Sequence, residues 1–224
     1  MGFLDDLKKQ AQELQSRDQV DLAALGRNTA LVEAAASSAA RYLGELTRQL
    51  AVIKPTSPAR YEIDRKASYQ GLPLVDFRSD ARKKRLRDEE VHDHVVFTCF
   101  ARSGQSVKLT KDFINEIEKL EPRIRQSGVQ CRSEAVRNPD NGKLQEMRYE
   151  FVADIVVSVR VLPLHDEGQL SFEVRNFDGL ASVDCRLPAI EVGQARLDEL
   201  AKWLLGQPHR FLDGALAVKR SEPR

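Results

Sequence analysis

The sequence predicts an α+β fold: one large antiparallel, meander-rich sheet with two helices on its apolar face, preceded by an N-terminal helical segment that carries a short heptad seam. Three observations predict it. Every odd position from Met147 to Val161 is apolar, while Glu146, Arg148, Glu150, Asp154, Ser158 and Arg160 interleave, so this stretch is one strand with a dry face and a wet face. Val32, Ala36, Ala39, Leu43, Leu46, Leu50 and Ile53 alternate spacings of four and three, the pattern of a helical seam. Pro55 and Pro58 then separate a period near 3.6 from a period of 2.

The elements follow in order. Phe3, Leu4, Leu7, Ala11 and Leu14 form an apolar stripe on a first helix. The stretch from Ser16 to Arg27 is less periodic and is a candidate break, with Asn28 as the N-cap of a second helix. That helix stops near Lys54, because proline cannot continue it. Tyr61, Ile63, Ala67 and Tyr69 alternate as strand residues, Gly71 to Pro73 turn, and Leu74 to Phe77 is a short strand. Val91, Val95, Phe97, Cys99 and Ala101 lie on one face of a longer strand ending at Arg102-Ser-Gly104. A helix capped by Thr110 buries Phe113, Ile114, Ile117, Leu120 and Ile124, with Pro122 expected to kink or end it near Glu121.

The meander comes next. Val129, Cys131 and Ala135 alternate, Asn138 to Gly142 is a hairpin turn, and the long strand through Val161 follows. His165 to Gly168 turns into Leu170, Phe172 and Val174, and Asn176 to Gly179 turns into Ala181, Val183, Cys185 and Leu187. A closing helix carries Leu197, Leu200, Ala201 and Leu204 beside Trp203. The domain plan is therefore a helical segment 1–54, a Pro-rich linker 55–59, a sheet domain 60–212 and a loose tail 213–224.

Composition narrows the function. In 224 residues, 35 Lys and Arg face 34 Asp and Glu, so there is no global field to steer a polyanion, and nucleic acid is not expected as the partner. The start has acids where a signal peptide has bases, and no run approaches the roughly 18 apolar residues of a membrane span. Cys99, Cys131 and Cys185 have no zinc spacing and read as buried thiols, which points to the cytoplasm. Dinucleotide, P-loop, zinc-protease and nucleophile-elbow motifs are all absent, so no catalytic residue, metal ligand or cofactor is assigned and the balance leans away from an enzyme.

Four features remain. Arg82, Lys83, Lys84, Arg85 and Arg87 are an anion-binding candidate, set against a salt-bridged loop or a short exposed helix capped by Ser79, because Asp76, Asp80, Asp88, Glu89 and Glu90 surround them. His92 and His94 share a strand face and would need further ligands to hold a metal. His165-Asp-Glu167 reads as hairpin polarity rather than an acid–base site. The seam Val32–Ile53 packs on the chain itself or on a partner helix, which makes a homo-oligomer or a protein partner the leading expectation. The function expected is thus a non-catalytic cytoplasmic interaction or assembly protein working through its N-terminal helices. One alternative is a small apolar-ligand module with a cavity between sheet and C-terminal helix, lined by Tyr149, Phe151, Phe172 and Trp203. The other is anion or nucleic-acid binding through residues 82–87.

Overall fold

The computed structural model describes the backbone of residues 3–223 and the side chains of residues 22–223. Alternation in the sequence becomes a seven-stranded antiparallel sheet. Its strands are β3 (Leu74–Leu86), β4 (Glu89–Lys111), β5 (Cys131–Arg137), β6 (Leu144–Leu164), β7 (Gln169–Arg175), β8 (Ser182–Pro188) and β9 (Ala217–Ser221). They lie in the order β3-β4-β6-β7-β8-β9, with β5 paired to the first part of β6. β1 (Arg60–Asp64) and β2 (Ala67–Gln70) form a separate hairpin. The helices are α1 (Phe3–Ile53), α2 (Ile114–Ser127) and α3 (Gln194–Leu204). The fold is α+β, as the periodicities require.

All the helices sit on the face made by the odd residues of β6. Under α1 and α3 lies one core, in which Phe97, Ile155, Val159, Phe172, Leu187 and Trp203 are buried. Under α2 and the β1–β2 hairpin lies a second, built on Ile63, Leu120, Tyr149 and Phe151. A buried polar hub joins them. The Asn176 carboxamide donates to the carbonyls of Gln126 (2.8 Å) and Val156 (2.7 Å), and the Asn176 backbone carbonyl accepts the Tyr61 hydroxyl at 2.9 Å. Asn176 has φ +62°, a left-handed conformation that asparagine tolerates better than most residues.

Several expectations need correction. α1 is a single helix with no break between Ser16 and Arg27; that stretch contains no proline and one glycine, and a lone helical glycine costs only about 1 kcal/mol. Asn28 is therefore inside the helix, not at its cap. The stripe Phe3–Leu14 falls on described helical backbone, but its side chains lie outside the described residues. Residues 78–86, expected as a charged loop, complete β3, and Arg87-Asp88 (φ +48° and +66°) make the tight two-residue turn into β4. β4 does not stop at Gly104 but slips register between Arg102 and Ser106 and continues to Lys111. Thr110 thus belongs to the strand, and Phe113 takes the N-cap position of α2 without a side-chain cap bond. Pro122 is accommodated inside α2, which runs on to a left-handed Gly128. Cys131 is only partly buried, unlike Cys99 and Cys185, because β5 is an outer strand. Finally, part of the segment expected as a loose tail is strand: Ala217–Ser221 pairs with β8, whose outer edge would otherwise leave its N–H and C=O groups unmatched.

Candidate functional site

Among the described residues, the densest convergence of titratable side chains joins three distant parts of the chain. Glu33 reaches out from α1, His92 from the start of β4, and His165 from the β6–β7 turn. The Glu33 Oε1 accepts the His165 Nε2 proton and the His92 backbone N–H, each at 2.8 Å. Its Oε2 lies 2.8 Å from His92 Nδ1. Burial favours a raised pKa at Glu33, but the hydrogen bonds from His165 and His92 outweigh it and hold the carboxyl below its ordinary value. His92 and His165 are 8% and 5% exposed. A second tier surrounds them: Arg87 pairs with the Asp166 carboxylate and donates to the Thr29 hydroxyl at 3.4 Å, and the Asn28 carboxamide donates to the Asp166 carbonyl at 2.9 Å.

The chemistry of this arrangement is fastening. A carboxylate that accepts three N–H donors, with both imidazoles nearly covered, ties α1 to the start of β4 and to the β6–β7 turn. The imidazoles address different oxygens of one carboxylate, and no group of three or more His, Cys, Asp or Glu among the described residues is placed to hold a metal ion. His92 and His94 do not act as a pair. The β3–β4 register slips at Asp93, and His94 bonds that neighbour's carboxylate at 2.8 Å while His92 turns to Glu33.

The other candidate residues are placed as follows. The basic run lies along β3 and its turn, and each cation has a carboxylate: Arg82 with Asp80, Lys83 with Glu90, Lys84 with Asp93, Arg85 with Asp88, Arg87 with Asp166. On the seam, Val32, Ala36, Ala39, Leu43 and Leu50 are buried against the chain's own sheet, Leu46 is partly buried, and Ile53 is 66% exposed. The alanines let α1 rest closely on β3 and β4, and the Tyr42 hydroxyl donates to Asp198 of α3 at 2.7 Å. Tyr149, Phe151, Phe172 and Trp203 do not share one space. The first two lie in the core under α2 and the last two in the core under α1 and α3, where Trp203 packs against Phe177 and Phe211. Glu33 was not read from the sequence as a site residue. The available signal was a charged residue beside Val32, at the rim of an otherwise apolar seam.

Comparison with known proteins gives no match: no protein family, no curated protein and no solved structure is similar to this chain. Among the described residues, no helix is long and apolar enough to cross a membrane.

Proposed function

We propose that the protein is a non-catalytic association module, in which the first part of α1 brings copies of the chain together and the sheet domain is the stable body. One observation carries this reading. α1 has 51 residues, about 76 Å at 1.5 Å per residue, and the first of its described side chains to be buried is Thr29. A body of the size of the sheet domain is roughly 40 Å across, so it cannot cover the whole helix. Leu22 is 64% exposed, and the sequence upstream carries the apolar positions Phe3, Leu4, Leu7, Ala11 and Leu14 at helical spacing. Because the chain's own sheet occupies the heptad seam from Val32 to Leu50, association rests on this upstream stripe. The clasp at Glu33 supports the reading by fixing the direction in which α1 leaves the sheet. The cytoplasm is the compartment it implies, since all three cysteines are free thiols.

Light scattering of the full chain tests it. The expected mass is a multiple of 25.3 kDa, falling to the single-chain value in the Leu7→Glu, Leu14→Glu variant with the melting temperature unchanged. A wild-type protein that runs as a single chain at tens of micromolar overturns self-association.

A further inference from the structure

We propose that the open face of the seven-stranded sheet binds single-stranded nucleic acid, with phosphates on a cross-strand row of arginines and hydroxyls and a base against Phe100. The register defines the row. Arg78 is opposite Thr98, Thr98 opposite Ser158, Ser158 opposite Arg175, Arg175 opposite Ser182, and Ser182 opposite Ser221. Directly paired residues share a face, and their chain neighbours Phe97, Val159, Val174 and Val183 are all buried beneath the helices. Ser79 lies against Gly44 of α1, so Arg78 points to the other side. Among the described residues, no helix covers that side.

The row runs from β3 to β9, about 24 Å at roughly 4.8 Å per strand. It holds two guanidiniums, four hydroxyls and no carboxylate, the donor set that phosphate oxygens accept from. Of the neighbouring cations, Arg82 pairs with Asp80, Arg102 with Asp76 and Asp154, and Arg186 with Glu167, while Arg160 and Lys219 of the next row add unpaired positive charge among the described residues. Arg78 and Arg175 hold no carboxylate among the described residues.

The flanks differ. One step along the strands, about 7 Å away, the next row carries Asp80, Val96, Arg160, Glu173, Asp184 and Lys219, three carboxylates interleaved with two cations. One step the other way, Phe100 is paired with Val156, and a groove of about 370 Å³ opens beside the ring between Val129, Val152 and Val156, with Gln130 and the Arg102-paired Asp154 at its rim. A phosphate track with an aromatic-floored groove on one side and a row of mixed charge on the other fits a backbone whose bases lean toward the groove.

Fluorescence anisotropy with a labelled 12-nucleotide oligodeoxythymidine tests this. Wild-type protein binds it, with affinity falling as salt rises. Arg78→Gln with Arg175→Gln weakens binding at least tenfold and reduces the logarithmic salt slope by about 1.4, the value for two phosphate contacts on a single strand. Phe100→Ala weakens binding at least fivefold without changing that slope. Lys83→Gln with Lys84→Gln, on the paired hairpin, leaves binding unchanged. Absence of binding at low salt overturns the proposal. So does loss of binding in the hairpin variant but not the row variant, tighter binding of a 12-base-pair duplex, or equal competition by polyglutamate, which would assign the face to an acidic polypeptide.

Discussion

Replacing Glu33 by glutamine keeps the shape of the side chain and removes its charge. The carboxylate accepts three N–H groups, two from His92 and one from His165. A glutamine offers one oxygen, and its amide nitrogen meets an imidazole N–H with another donor. Placed at the Oε1 position, that oxygen keeps two bonds, now to a neutral acceptor, and the bond from His92 Nδ1 is lost. A bond to a charged acceptor is worth roughly 1.5–3 kcal/mol and one to a neutral acceptor roughly 0.5–1.5 kcal/mol, and the Glu33 side chain is 23% exposed, which favours the lower end. The expected loss of stability is about 2–3 kcal/mol for Glu33→Gln near neutral pH. It is about 4 kcal/mol for Glu33→Ala, which leaves both imidazoles without a partner in closed surroundings.

The pH dependence of that loss separates this account from a packing defect. The folded-state pKa of Glu33 is lowered from the ordinary 4.5. Between the two values the unfolded chain binds the extra proton, so stability falls as pH drops through that window. The contribution is fully present above the ordinary carboxylate range and disappears as pH falls through the folded value. Urea denaturation at pH 7.5, 5, 4 and 3 should show the gap between wild type and Glu33→Gln constant at the upper end and closing below about pH 4.5. A gap under about 1 kcal/mol at pH 7.5, or one that persists undiminished at pH 3, refutes the clasp.

Substitutions at three further places probe the frame that presents the two proposed surfaces. Asn176→Ala should cost about 3–5 kcal/mol in urea denaturation, since it strands the Gln126 and Val156 carbonyls and puts alanine at positive φ, whereas Asn176→Gly should recover about 1 kcal/mol of that. Gly128 has φ +72° and a Cβ there would lie 2.8 Å from Val156 Cγ2, so Gly128→Ala should lower the melting temperature by several degrees, with partial rescue by Val156→Ala. Lys83→Ala with Lys84→Ala breaks only exposed pairs and should change unfolding free energy by less than about 1 kcal/mol.

What could be read in advance depended on whether the physics was local. The odd positions of β6, the turns at Asn138–Gly142 and Asn176–Gly179, and the stripe of α3 each signal themselves within ten residues, and each was legible. The charged half of β3 was not. Arg82 to Arg85 show no alternation of apolar and polar residues, and they become strand because β4 supplies the partner and the Arg87-Asp88 turn sets the hairpin. β9 is the same case at the other edge: its residues are all exposed, and only β8 makes them a strand.

The sites were harder to read than the fold for the same reason, carried one level further. Glu33, His92 and His165 lie 59 and 132 residues apart from helix to strand and turn. The register slip at Asp93 also changes which imidazole faces inward, so a strict period of two gave His92 and His94 a shared face they do not have. The arginine–hydroxyl row is drawn from six strands, one residue from each, and any single strand shows only an isolated polar position. Counting charge along the chain singles out Arg82–Arg87, where the cations are densest, yet there each cation is matched by a carboxylate. Counting across the sheet singles out Arg78 and Arg175, which lie in a row with none. A charge census taken along the sequence therefore covers only part of the pairing, because partners across the ladder, such as Glu90 for Lys83, act together with chain neighbours, such as Asp80 for Arg82, to decide which cations stay free to meet a ligand.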